Sequence, residues 1–170
     1  YYTDYVGTTP LLFRNVQQIL RLELWQGADY REIGAAEARL ELPGDVRGIT
    51  GSIVLSPGNG SSAILAPGTA TGQWRADFDN VTSAQNLVDL INKEDRVSKT
   101  AVDFSPAFTL EGSTSNVAVH NEFLASANSD YGTGKVKITS MRDTNAGESA
   151  SIVTTDSNID ISQTTNGNAT

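Results

Sequence analysis

One stretch of this chain repeats its apolar residues at helical spacing with no competing period. In residues 83–94, Ala84, Leu87, Val88 and Ile91 fall on one stripe, and Gln85, Asn86, Asp89 and Asn92 fall on the opposite face. Thr82 and Gln85 stand in the Thr-x-x-Gln relation of a capping box, and Lys93 suits the negative end of the helix dipole. Elsewhere the apolar residues come in short runs broken by glycine, proline and asparagine, which is strand and turn chemistry. The predicted fold is therefore mainly β, α+β with little helix: antiparallel sheets or a sandwich with one capped helix at 83–94.

The strand signals are specific enough to place. Leu20, Leu22 and Leu24 alternate with Arg21 and Glu23, and Ala38-Arg39-Leu40-Glu41-Leu42 alternates before the turn signal Pro43-Gly44. A strand at 19–25 is expected to pair with 38–42, setting Arg21 and Glu23 against Glu41 and Arg39. Residues 11–18 stay open between helix and strand. Between Gly44 and Gly72, the runs Ile53-Val54-Leu55 and Ala63-Ile64-Leu65 flank Ser56-Pro57-Gly58-Asn59-Gly60-Ser61, a hairpin signature. That loop lacks the Gly-Lys-Ser/Thr ending of a phosphate-binding loop. Further strands are expected at 74–78, 97–104, 108–111, 117–123, 135–141, 151–155 and 159–162.

At 170 residues the chain is one domain or two small ones, able to bury roughly 70% of its unfolded surface. Residues 1–18 are expected to form an N-terminal arm or first element, 19–73 a β-hairpin region, 74–162 a β-α-β module with additional strands, and 163–170 a flexible polar tail. The alternative is a single domain over 10–162. The opening Tyr1-Tyr2-Thr3-Asp4-Tyr5 carries no methionine, so residue 1 is expected not to be the translational start, whether after a cleaved propiece, a trimmed start or an upstream segment outside the numbering. With 12 Lys+Arg against 20 Asp+Glu the net charge is −8, and no basic tract is present. Nucleic acid and anionic membrane are thus not expected as partners. Cysteine is absent, which excludes disulfides, thiolate catalysis and Cys-ligated zinc.

Candidate chemistry is sparse. His120 is the only histidine, out of phase with Val117 and Val119, and reads as structural. No Gly-x-Ser-x-Gly element accompanies it. Asp156-Ser157-Asn158-Ile159-Asp160 begins like a calcium loop, but Ile161 stands where the turn glycine belongs and no closing glutamate follows. Asp143-Thr144-Asn145-Ala146-Gly147-Glu148 is a second oxygen-rich turn. Whether Asp143/Asn145 or Asp156/Asp160 hold a cation stays open at the sequence level. Asn59, Asn80 and Asn168 head Asn-x-Ser/Thr sequons. Trp25, Trp74 and the tyrosines could stack on sugar rings, although tryptophan at alternate strand positions more often belongs to a core. No catalytic, cofactor-binding or metal-ligating residue is assigned, and no cofactor is expected.

Residues 74–162 follow a recognisable order. A strand leads into the helix Ser83-Ala84-Gln85-Asn86-Leu87-Val88-Asp89-Leu90-Ile91-Asn92. Gly134-Lys135-Val136-Lys137-Ile138-Thr139-Ser140 comes next, then Gly147-Glu148-Ser149-Ala150-Ser151-Ile152. This resembles the small β-α-β modules inserted in flagellins and hook-associated proteins, and is similar to modules of bacteriophage tail-sheath and related virion structural proteins. The stretch between Asn92 and Gly134 is longer than in such modules. The resemblance covers about half the chain and implies an accessory domain displayed on a protein lattice, with no catalytic residues. On it rests the expectation of a non-enzymatic structural component of a tailed-bacteriophage virion: a decoration, fibre, neck or tail protein. Its expected partners are copies of itself and neighbouring virion proteins, in a symmetric homo-oligomer. A flagellin-like or other extracellular filament subunit, and a surface carbohydrate-binding β domain, are the alternatives.

Overall fold

A computed structural model describes residues 23–25, 30–32, 37–58, 60–76, 79–93, 102–108, 117–128, 132–141 and 150–165. The chain divides into two units, Tyr1–Ile33 and Gly34–Thr170. The first holds an antiparallel ribbon of β1 (Glu23–Trp25) and β2 (Tyr30–Glu32), with Leu24 opposite Arg31 and Trp25 opposite Tyr30. The pairing expected between 19–25 and 38–42 is therefore corrected. Four residues separate β1 from β2, so the ribbon closes a far shorter loop than the expected pairing would.

Among its described residues the second unit is mainly β, with seven strands in two antiparallel sheets and one α-helix. Its strands are β3 (Glu37–Glu41), β4 (Ile53–Ser56), β5 (Ala63–Leu65), β6 (Phe123–Asn128), β7 (Gly132–Ser140), β8 (Ser151–Thr154) and β9 (Asp160–Thr165), and its helix is α1 (Asn80–Asn92). One sheet has the order β6-β7-β3-β9 and the other β5-β4-β8. Alternation sets the faces. Ala38 and Leu40 of β3, Val136 and Ile138 of β7, and Phe123 and Ala125 of β6 point inward. So do Ile53, Leu55, Ala63, Leu65 and Ile152 of the smaller sheet, and all share one core with Ala84, Leu87, Val88 and Ile91 of α1. Phe104 sits between Phe108 and Phe123, with ring centroids 5.9 and 6.1 Å away in tilted arrangements. No helix among the described residues is long and apolar enough to cross a membrane.

The expected 53–55/63–65 hairpin forms, with Val54 opposite Ile64. The helix, expected at 83–94, instead begins at Asn80 and ends at Asn92. Asp79 caps it, accepting from the Thr82 N–H at 2.9 Å and from the Thr82 hydroxyl at 3.0 Å. Aspartate outranks threonine as an N-cap, and Thr82 donates to the cap rather than serving as one. Lys93 closes the other end in left-handed geometry (φ 57°), its N–H reaching Asp89 O. Asn86 and Asp89, expected on the solvent face, are buried. Asn86 Nδ2 donates to Arg75 O at 3.1 Å and Gln85 Nε2 to Asp89 Oδ1 at 2.7 Å, so the strand-like segment before the helix covers its polar side.

Other expected strands take different forms among the described residues. Of the 74–78 run, residues 74–76 are described and make a parallel bridge, Trp74 to Pro67, in which Trp74 N–H donates to Ala66 O and Gly68 N–H to Trp74 O. The 117–123 run makes one bridge, Ala118 to Asp103, and then a 3-10 turn over Val119–Asn121 before β6 starts at Phe123. Of the strand expected at 97–104, residues 97–101 lie outside the described residues, and Asp103 lies in an isolated bridge. Residues 11–18, and all of 108–111 beyond Phe108, lie outside the described residues.

Candidate interaction surface

The outward faces of the two sheets are chemically opposite. On β3, Glu37, Arg39 and Glu41 point out, and register sets Arg39 against Lys137 and Glu41 against both Lys135 and Asp160. Arg39/Lys137 and Glu41/Asp160 are like-charge pairs, an unfavourable arrangement if left alone. Glu37 relieves the first by bridging Lys137 at 2.7 Å and Arg39 at 3.4 Å, and Lys135 relieves the second by reaching Glu41 at 3.0 Å. The result is a charged ladder, neutralised largely within itself. A shallow concavity of about 650 Å³ lies over Arg39, Glu41, Lys135, Asp160 and Ser162.

The smaller sheet presents the reverse. No residue of β4, β5 or β8 is ionisable. Val54 is opposite Ile64 on one side and Val153 on the other, so three apolar side chains form a row straight across the strands. Ile64 is 62% exposed and Val153 46% exposed. In the same alternation stand Ser52 and Ser56 beside Val54, Ser62 and Ala66 beside Ile64, and Ser151 and Thr155 beside Val153.

The sheets are joined by a carboxylate staple. Asp156, in the turn between β8 and β9, accepts from the N–H groups of Gly51 at 2.6 Å and Thr50 at 2.7 Å through Oδ2, and from Asn158 N–H at 2.9 Å through Oδ1. These bonds, led by Gly51, hold its carboxyl below the usual aspartate range. Gly51 is required because a β-carbon there would lie 2.6 Å from Asp156 N. The calcium-loop spacing at Asp156-Ser157-Asn158 thus serves a turn whose carboxylate both oxygens are occupied by backbone. Asp160 lies exposed on β9, opposite Glu41. Among the described residues no group of three His, Asp or Glu is placed to hold a metal ion. Asp143 and Asn145 lie outside the described residues.

His120 falls in the 3-10 turn and not on a strand. Its Nδ1 is buried without a hydrogen-bond partner, and burial first, then Lys93, hold its pKa below the ordinary histidine value against the pull of Asp103. Trp74 is fully buried with Nε1 donating to Leu65 O at 3.2 Å, so it cannot stack on a sugar. Trp25 lies in β1. Asn80 opens α1 with its amide against Gly134, where a β-carbon would sit 2.5 Å from Asn80 Nδ2. Asn59 and Asn168 lie outside the described residues. The Val54/Ile64/Val153 row escaped sequence reasoning because each residue sits in a different short run. The signal present was the uncharged composition of all three runs. Comparison of the chain with family models, with curated proteins and with solved structures returns no match.

Proposed function

We propose that this chain is a non-enzymatic structural component of a tailed-bacteriophage virion, acting through contacts with copies of itself and with neighbouring virion proteins. The observation that carries the contact role is the β5-β4-β8 sheet, whose strands hold no ionisable residue and where exposed Ile64 and Val153 flank half-buried Val54 in one row. Exposed apolar side chains gathered on an uncharged face suit burial against another protein, where charged residues are depleted. The choice of a virion rests on the resemblance of residues 74–162 to lattice-displayed modules. Light scattering on chromatographed protein across a wide concentration range is the test, with electron microscopy of the source particle. Mass that rises with concentration, and density for the chain on a capsid or tail, support the reading. A strictly monomeric chain whose polar side chains turn over a small molecule overturns it.

A further inference from the structure

The last turn of α1 is tied to β6 by one side chain. Asn92 Nδ2 donates to Ala125 O at 2.8 Å and Asn92 Oδ1 accepts from Ala125 N–H at 2.9 Å, so a single carboxamide satisfies both backbone groups of one strand residue. This clasp sits at a strained helix end. Lys93 follows in left-handed geometry (φ 57°), which costs a residue with a β-carbon, and helix ends are where local opening begins. Ile91, one residue earlier, is fully buried in the core and marks the inner limit of any such opening.

Both α1 and β6 pack against the 3-10 turn Val119–Asn121, and the turn runs through Glu122 straight into β6. His120 lies in this turn with Nδ1 buried and without a hydrogen-bond partner. A neutral imidazole tolerates that place, because one ring nitrogen carries no proton. An imidazolium carries a proton on both nitrogens, and a charged N–H shut away from any acceptor is costly. The ionisable residues of the elements packed here are Asp89 and Lys93 at the end of α1, Glu122 beside the turn, and Asp103 of the segment bridged to it at Ala118; β6 holds none. Burial first, then Lys93, oppose a positive ring, and Asp103 favours one.

We infer that acid releases the Asn92–Ala125 clasp through His120: a proton on the ring parts the end of α1 from the Val119–Asn121 turn, and both carboxamide bonds open with it. A conformation that gives Nδ1 to water binds the proton better than the closed one does, so falling pH shifts the population towards it. The helix end is the side that yields. Val119 is buried in the core, and its N–H donates to Val102 O at 2.9 Å. The turn is closed further by Asn121 N–H to Ala118 O at 3.0 Å and Glu122 N–H to Val119 O at 2.9 Å. Beyond Ile91, by contrast, the helix is held by the clasp itself and by the strained cap at Lys93. His120 and Asn92 therefore act as sensor and latch of one device.

The test is amide exchange on the full chain from neutrality into mild acid, corrected for the intrinsic exchange rate at each pH. His120 is the only histidine, so one ring resonance follows its titration in the same samples. Protection of the Ala125 N–H is expected to fall as pH drops below 6.5, with a limiting slope of about tenfold per pH unit, that of one proton taken up on opening. The loss should depend little on urea, as a local opening exposes little surface. His120→Gln is expected to leave Ala125 protected and indifferent to pH. Lys93→Gln removes an opposing charge, so it should raise the midpoint of the ring titration and shrink the total loss of protection; Asp103→Asn should do the reverse. Ala125 protection that ignores pH while the ring titrates, that falls equally in His120→Gln, or that matches β4 in size and urea dependence overturns the inference. Where His120→Gln does not fold, the Lys93→Gln and Asp103→Asn pair decides, and equal losses of protection in the two overturn it.

Discussion

Asp156 fixes the geometry of two chain segments with one carboxylate, and its partners Thr50 and Gly51 lie 106 and 105 residues away in sequence. Replacing it with alanine takes the acceptor from three part-buried backbone N–H donors, those of Thr50, Gly51 and Asn158. Asp156→Ala is expected to cost about 3 kcal/mol in urea unfolding. Gly51→Ala is expected to destabilise by lifting the Thr50–Gly51 backbone off Asp156, and the double mutant should cost less than the two singles added. The pH dependence follows from the same bonds. A carboxyl held below 3.8 when folded contributes stability that is complete above that value and is lost as pH falls through the folded pKa. Asp156→Asn should therefore flatten the acid limb of a Tm-against-pH curve. His120 acts earlier on the scale. Its folded pKa lies below 6.5, so the unfolded chain binds the proton first and stability declines as pH drops from 6.5 towards the folded value. His120→Gln should remove the component that sets in as pH falls through 6.5 while leaving the acid limb intact. The sequence displayed Asp156-Ser157-Asn158 as a turn with spare oxygens. It could not display the distant amides that occupy them.

Elements were legible where their own period decided them, and hidden where a neighbour did. The stripe Ala84, Leu87, Val88 and Ile91 specified α1 locally, and it is the buried side of the helix. The start was misplaced by three residues because Thr82-x-x-Gln85 satisfies a capping pattern formally, while Asp79 holds the first turn in space. The run Val117-Ala118-Val119 alternates like a strand, yet alternation over so few residues fits a bridge followed by a 3-10 turn equally well. Asn92 shows the opposite case, a polar residue on the expected solvent face that is used as an edge plug. Asn92→Ala removes two part-buried hydrogen bonds and is expected to cost about 2 kcal/mol. Its diagnostic is local: amide exchange at Ala125 should accelerate more than exchange in β4. Equal acceleration throughout would mean that Asn92 serves global stability and not the β6 edge.

For the second unit as a whole, the fold class followed from many short apolar runs around one helix, but the strand order did not. β3 sits between β7 and β9, nearly a hundred and more than a hundred residues downstream, and no local pattern encodes such pairings. Its charges make sense only in that register. Glu37 holds Lys137 and Arg39 apart from one another's repulsion, so Glu37→Gln is expected to lower stability by about 1 kcal/mol at low ionic strength, with the difference shrinking as salt screens the pair. The same electrostatics give self-association a sign. Two chains of charge −8 repel at long range, whereas the strands β4, β5 and β8 contribute no charge at contact. Raising ionic strength shortens the Debye length from about 30 Å at 0.01 M to about 8 Å at 0.15 M and removes the repulsion without touching the apolar row. Self-association through the β5-β4-β8 sheet should therefore strengthen as salt rises, read as a lower dissociation constant in sedimentation at increasing sodium chloride. Contact through the ladder of Glu37, Arg39, Glu41, Lys135 and Lys137 would depend on cross-copy ion pairs and weaken over the same range. The slope of affinity against salt thus tells the two sheet faces apart without altering a residue.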